Sequence, residues 1–167
     1  MTDVSDDWQR RVDAVWQDGG LDDDARVDPI DELAGELGRE HPIALFECAG
    51  ARDSAGRELE AEPLYRAALE AGLDPVRRTR AVIQLASTIR NLGKIDEALD
   101  LLGDEYVATR GGEMADEAAA FYALALASSG DAMRAASIAL GALAPHLTRY
   151  TRSVTGYAAE LVNPRGE

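Results

Sequence analysis

Residues 80–106 read RAVIQLASTIRNLGKIDEALDLLGDEY, two amphipathic segments separated by Gly93. The apolar residues recur at intervals of three and four on both sides of this glycine: Val82, Leu85, Ala86, Ile89 and Leu92 before it, and Ile95, Ala98, Leu99 and Leu102 after it. This spacing places each set on one face of an α-helix. Gly93 suits a helix end that needs a positive φ angle, and Ala86 and Ala98 allow two backbones to approach closely. The stretch therefore predicts an antiparallel helical hairpin.

The hairpin pattern recurs along the chain with a period of 37 residues. The turn glycines Gly56, Gly93 and Gly130 keep this interval. Four other columns keep it without a gap: Ala49, Ala86 and Ala123; Ala61, Ala98 and Ala135; Leu45, Val82 and Ala119; Tyr65, Leu102 and Ala139. A fixed period of this size in helical hairpins indicates a solenoid, in which each repeat buries the face of its neighbour.

Capping residues and helix breakers divide the whole chain into helices. The predicted segments are 5–18, 28–39, 42–53, 58–71, 75–92, 94–109, 113–129, 131–144 and 148–162. Ser5 and Asp74 are good N-caps, and Pro42 and Pro75 suit a first helical turn. The expected organisation is an acidic N-terminal helical cap or degenerate repeat over residues 1–41, three hairpins over 42–145, and a C-terminal capping helix with a tail over 146–167.

Composition restricts the kinds of partner and compartment. The formal net charge of −14 argues against nucleic acid and anionic membrane as partners, and 13 of the acids fall in residues 1–41. The single cysteine, Cys48, excludes an internal disulfide and suits a reducing compartment. No apolar run is long enough to span a bilayer, so a cytoplasmic protein is expected. Lys94 is the only lysine, which we interpret as the codon bias of a GC-rich bacterium.

The aligned columns resemble the tetratricopeptide repeat over residues 42–145. The small residue late in the first helix, the turn glycine, the alanine early in the second helix and the following aromatic residue match its pattern. The blocks ARDSAGRELEAEPLYRAALEAGL (51–73) and LASTIRNLG (85–93) are also similar to group 5 of this family, short stand-alone bacterial proteins. The resemblance implies an all-α, right-handed superhelix of antiparallel hairpins with capping helices. It also implies a concave face lined by the first helix of each repeat, and no particular activity.

This concave face is the leading candidate site. The residues that the resemblance places on it are Phe46, Asp53, Arg80, Gln84, Ser87, Arg90, Asn91 and Phe121. Guanidinium groups between aromatic rings suit an extended acidic segment or a carboxylate. A structural alternative has equal weight: the phenylalanines pack on terminal helices, and Arg80 and Arg90 pair with acids such as Asp53 and Glu117.

No catalytic, metal-binding or cofactor-binding motif occurs in the sequence, so neither enzyme activity nor a cofactor is expected. The leading hypothesis is a protein–protein interaction scaffold that presents its groove to an unidentified protein or peptide. One alternative is a binder of, or an enzyme acting on, a small anionic metabolite in the arginine-lined groove. Another is a structural homo-oligomer held together by exposed end helices.

Both tryptophans, Trp8 and Trp16, lie on the apolar stripe of the first predicted helix. We expect them to pack against the first hairpin, so that the acidic segment caps the array. In the other arrangement the segment covers the groove, and its carboxylates meet Arg80 and Arg90. Sequence adjacency to the first hairpin favours the cap.

Overall fold

The computed structural model describes residues 4–163. Its α-helices are α1 Asp6–Gln17, α2 Val27–Leu37, α3 Pro42–Ser54, α4 Glu58–Ala71, α5 Pro75–Asn91, α6 Ile95–Ala108, α7 Ala115–Ser128, α8 Ala132–Leu143 and α9 Thr151–Glu160. A 3-10 turn, Ala144–His146, precedes α9, and no strand occurs in residues 4–163. The expected fold class, an all-α helical-hairpin array of the tetratricopeptide type, is confirmed.

Side-chain caps begin the helices where the sequence predicts them. The Ser5 hydroxyl accepts a 3.2 Å hydrogen bond from the backbone N–H of Trp8, and the Asp74 carboxylate accepts one of 3.0 Å from that of Arg77. The largest difference is at α9, which starts at Thr151 and not at 148. Tyr150 has a φ of 67°, a left-handed conformation that a right-handed helix cannot contain, so the preceding residues stay outside α9.

The chain divides into two compact units, residues 1–92 and 93–167. In the first unit, α2 packs on α1 and α3, and α4 packs on α3 and α5. One core cluster is shared by α1, α2 and α3 and contains Trp8, Val12, Val27, Ile30, Leu33, Ile43 and Ala51. The indole Nε1 of Trp8 donates a 2.8 Å hydrogen bond to the backbone oxygen of Leu33, which satisfies its one polar atom inside this core.

In the second unit, α7 packs on α6 and α8, and α9 packs on α8. Small residues dominate the contact surfaces, since Ala118 and Ala125 are completely buried on α7. The rings of Tyr106 and Tyr122 are tilted by 32° with their centres 5.5 Å apart, and this contact joins α6 to α7. Alanine at these contacts allows the helix backbones to approach closely.

The repeat columns occupy equivalent structural positions. The two alanine columns are buried in all three repeats, and the turn glycines Gly56, Gly93 and Gly130 have φ angles of 68°, 84° and 91°. These angles explain the glycine column, because residues with a Cβ rarely adopt them. One member departs from its column: Ala139 is exposed, whereas Tyr65 and Leu102 are buried.

Candidate functional site

A cavity of about 150 Å³ lies in the first unit, between α1, α3 and α5. Its lining residues are Trp16 from α1, Phe46, Glu47, Gly50 and Ser54 from α3, and Arg80 and Gln84 from α5. The intervals of four along α3 and α5 place these residues on one face of each helix. Three of the predicted groove residues, Phe46, Arg80 and Gln84, are therefore brought together.

Glu47 is a buried acid with a single hydrogen-bond partner among the residues that the structure describes. It is 6% exposed, and its Oε2 accepts a 2.9 Å hydrogen bond from the indole Nε1 of Trp16. Burial raises the pKa of Glu47, and the Trp16 hydrogen bond and the charges of Arg80 and Arg77 oppose this shift. No residue within 4–163 donates a hydrogen bond to Oε1 of Glu47. This second carboxylate oxygen is thus available to a group that enters the cavity.

Arg80 and Phe46 form a cation–π pair at the cavity. The guanidinium carbon of Arg80 lies 5.1 Å from the centre of the Phe46 ring. Phe46 is only 2% exposed and its ring also contacts Tyr65, so it supports the arginine from below and is not an open aromatic wall. Arg80 itself is exposed, and no carboxylate in the described part of the chain lies within ion-pair distance of it.

Gln84 contributes an unsatisfied acceptor. Its Oε1 is buried and has no hydrogen-bond partner among the described residues. A buried polar atom without a partner costs roughly 1–3 kcal/mol relative to a satisfied one. A bound group with an N–H donor would recover that free energy.

Asp53 is engaged in packing and is not free to bind a ligand. Its two oxygens accept hydrogen bonds from the hydroxyls of Thr88, at 2.9 Å, and Tyr65, at 3.3 Å. These bonds join α3 to α5 and α4, and burial raises the pKa of Asp53. The suggested pairing of Asp53 with Arg80 or Arg90 is therefore wrong, because its carboxylate is turned toward two hydroxyls.

The remaining predicted residues do not line the cavity. Ser87, Arg90 and Asn91 lie farther along α5, where Arg90 donates a 3.2 Å hydrogen bond to the side-chain oxygen of Asn91. Phe121 is half-buried on α7 and belongs to the second unit. Their role in binding stays a prediction.

The side chains of Trp16 and Glu47 line the cavity without having been predicted for this site. Trp16 was assigned to packing, and Glu47 was not considered. The signal for Glu47 is present in the sequence, because this acid lies on the apolar stripe of α3, four residues from Ile43 and four from Ala51. Ile43 and Ala51 are both buried. An acid at such a position is either paired or functional.

A larger cavity of about 410 Å³ lies among α2, α3 and α4, and two of its charged residues, Asp31 and Arg52, pair with each other. Arg52 binds Asp31 through two hydrogen bonds of 2.8 Å, which lowers the pKa of that carboxyl. Burial raises the pKa of Cys48, which also lines this cavity, to about 12. A thiol with such a pKa is un-ionised near neutral pH and is therefore a poor nucleophile.

No cluster of three or more potential metal ligands occurs in the part of the chain that the structure describes. Within residues 4–163, none of the helices combines the length and apolar character needed to cross a membrane.

A family model described as Tetratrico peptide repeat, group 5 of that repeat class, matches residues 42–161. The chain belongs to this tetratricopeptide repeat family. The resemblance found in the sequence is thus confirmed at the level of the group. Tetratricopeptide repeats generally serve as protein–protein interaction scaffolds and are generally non-enzymatic. No curated protein matches the chain. The family match begins at α3, so the tetratricopeptide repeat region supplies every cavity residue except Trp16.

Proposed function

We propose that this tetratricopeptide repeat protein is a non-enzymatic scaffold that binds an extended segment of a partner protein on α1, α3 and α5. The observation that carries the proposal is the cavity between these helices, where the Arg80 guanidinium and the Oε1 atoms of Glu47 and Gln84 have no protein hydrogen-bond partner within the described residues. Groups of this kind, gathered at one opening, are typical of a recognition surface.

An acidic residue of the partner is the best match for Arg80. The neighbouring Arg77 is already engaged, because its Nη1 donates to Asp74 at 2.8 Å and its Nη2 donates to Gln9 at 2.7 Å. Arg80 instead presents an exposed guanidinium, held in place by the Phe46 ring below it. A guanidinium of this kind binds a carboxylate through two parallel hydrogen bonds.

The size of the cavity favours a peptide over a metabolite. Its volume of about 150 Å³ is below the roughly 300–1,000 Å³ of ordinary small-molecule sites, and suits one side chain of a longer segment. The buried Glu47 would also repel a small anion placed beside it. The alternative of an anionic metabolite therefore has weaker support.

Selection from a library of random-sequence peptides displayed against the full-length protein tests this function. Selected peptides should bind wild type and lose about tenfold in affinity for Arg80→Glu, measured by fluorescence polarisation. Arg152→Glu, which makes the same charge change on α9, is the matched control and should bind as wild type does. Failure to select any peptide, or equal binding by wild type and Arg80→Glu, would contradict the proposal.

A further inference from the structure

Two acceptor atoms of the cavity lack a donor, one on α3 and one on α5. Oε1 of Glu47 accepts no hydrogen bond from residues 4–163, and neither does the buried Oε1 of Gln84. Both side chains line the same cavity of about 150 Å³. Two acceptors without a donor thus line the cavity, and Arg80, which is exposed, is the cation among its lining residues.

The acceptor on α3 is a carboxylate, and this determines the charge of the group that fits. A buried carboxylate with one hydrogen bond and no ion pair is costly, and a cation with N–H donors compensates it better than a neutral amide does. The indole ring of Trp16 lines the same cavity, and aromatic rings attract ammonium and guanidinium groups.

We propose that the cavity is a subsite for one lysine or arginine side chain of the bound segment, whose cationic end lies between Glu47 and Gln84. This inference rests on the proposed function, because the segment carries the side chain. Together, this subsite and Arg80 specify the partner segment. The segment carries a cationic residue that enters the cavity and, close to it in sequence, an acidic residue that pairs with Arg80. The protein would then select a mixed-charge segment and reject a uniformly acidic one.

The positive charge of Arg80 is compatible with a cationic occupant. Arg80 is exposed, so water and salt screen its charge, whereas Glu47 is 6% exposed and acts on the cavity with little screening. The acidic residue of the segment would neutralise Arg80 in the complex. Asp13 on α1 adds a further negative charge near Glu47.

The first test uses blocked single amino acids as probes and the indole N–H resonance of Trp16 as the readout. N-acetyl-arginine amide and N-acetyl-lysine amide should shift this resonance in a saturable way, because the Trp16 N–H is bound to Glu47. N-acetyl-norleucine amide and N-acetyl-citrulline amide are the uncharged counterparts and should not. A Trp16→Phe variant assigns the resonance, since Trp8 supplies the other indole signal.

Variants of the two acceptors provide the second test. Glu47→Gln keeps an oxygen for the Trp16 hydrogen bond and removes the charge, so it should weaken binding of the arginine probe about tenfold. Gln84→Leu should weaken it less, because a neutral acceptor is lost. Glu32→Gln makes the same change as Glu47→Gln at an exposed position of α2 and should have no effect. Thermal unfolding of each variant checks that it is folded.

The outcomes separate this inference from the proposed function. Absence of a shift with either cationic probe, equal shifts with norleucine or citrulline, or undiminished binding to Glu47→Gln would each overturn the cationic subsite. If selected peptides depend on Arg80 but contain no enriched lysine or arginine, the subsite fails and the scaffold function stands. If the cationic probes bind and no peptide is selected, the cavity is a site for a free cation, and the segment-bound subsite is refuted with the scaffold.

Discussion

The indole Nε1 of Trp16 donates a 2.9 Å hydrogen bond to Oε2 of Glu47, joining α1 to α3 at the cavity. A second bond, of 2.7 Å from Nη2 of Arg77 to Gln9, joins α1 to α5. Helix α1 therefore supplies one wall of the cavity and is joined to both α3 and α5 by hydrogen bonds. Together with the burial of Trp8 and Val12, these contacts favour the cap interpretation of residues 1–41, which we retain as a proposal.

Deleting residues 1–40 should destabilise the protein. The deletion uncovers Ile43 and Ala51 on α3, which share a core with Trp8, so we expect a loss of about 3 kcal/mol or more in the free energy of unfolding. Urea denaturation followed by circular dichroism measures it. Trp8→Ala should reproduce most of the loss. A truncated protein of unchanged stability that binds selected peptides more tightly would instead establish that the segment covers the groove.

Arg80 and Arg90 should differ in their importance for binding. Arg80 lines the cavity, whereas Arg90 lies farther along α5 and is bonded to Asn91. Arg80→Glu should therefore lower the affinity for a selected peptide about tenfold. The change in binding free energy caused by Arg90→Glu should be less than half of the change caused by Arg80→Glu. Isothermal titration with the same peptide compares the two variants. An equal or larger effect of Arg90→Glu would place the binding surface beyond the cavity.

Ala98→Leu should overpack the start of α6. Ala98 is completely buried in the second alanine column of the repeat, so a larger side chain should cost about 1–3 kcal/mol. The thermal unfolding midpoint reports the change. Ala139→Leu is the control, since Ala139 is exposed on α8 and should tolerate the same substitution. An unchanged midpoint for Ala98→Leu would show that this position accommodates volume and would weaken the repeat alignment.

Asp31 and Asp53 should respond to pH with opposite signs. The hydrogen bond from Arg52 lowers the pKa of Asp31 in the folded protein, so its stabilisation is present above the unfolded pKa, about 3.9, and is lost as pH falls through the folded pKa. Asp31→Asn should thus cost about 1 kcal/mol at pH 7, because this partly exposed ion pair is screened by water, and the cost should shrink as the pH falls below about 3.9.

For Asp53, burial raises the pKa in the folded protein, so above that pKa the ionised side chain destabilises the fold. Below about pH 3.9 the side chain is protonated in both the folded and the unfolded protein, and the effect on stability disappears. Asp53→Asn keeps an acceptor for Thr88 and should be neutral or stabilising at pH 7, with no difference at pH 3. Urea denaturation at both pH values measures the free energy of unfolding of each variant relative to wild type. A stability loss at pH 7 as large as that of Asp31→Asn would contradict the predicted sign for Asp53.

The helices and their repeat could be predicted from the sequence because their signals are local. Apolar spacing of three and four reports which face of a helix is buried, and Ser5 and Asp74 cap the helices that follow them. Gly93 and its two counterparts specify positive φ angles through the lack of a Cβ atom. Errors occur where the deciding feature is a backbone conformation without a sequence signal, as at Tyr150.

The partners of the polar side chains were decided only by the tertiary structure. Asp53 bonds to Thr88, 35 residues away, and Glu47 bonds to Trp16, 31 residues away. No period in the sequence relates these pairs, because they depend on how separate helices are rotated and spaced against one another. An exposed arginine such as Arg80 and a paired one such as Arg52 look alike in sequence, since a side chain's charge is inherent in its residue type, whereas its partner and its exposure to water arise from packing.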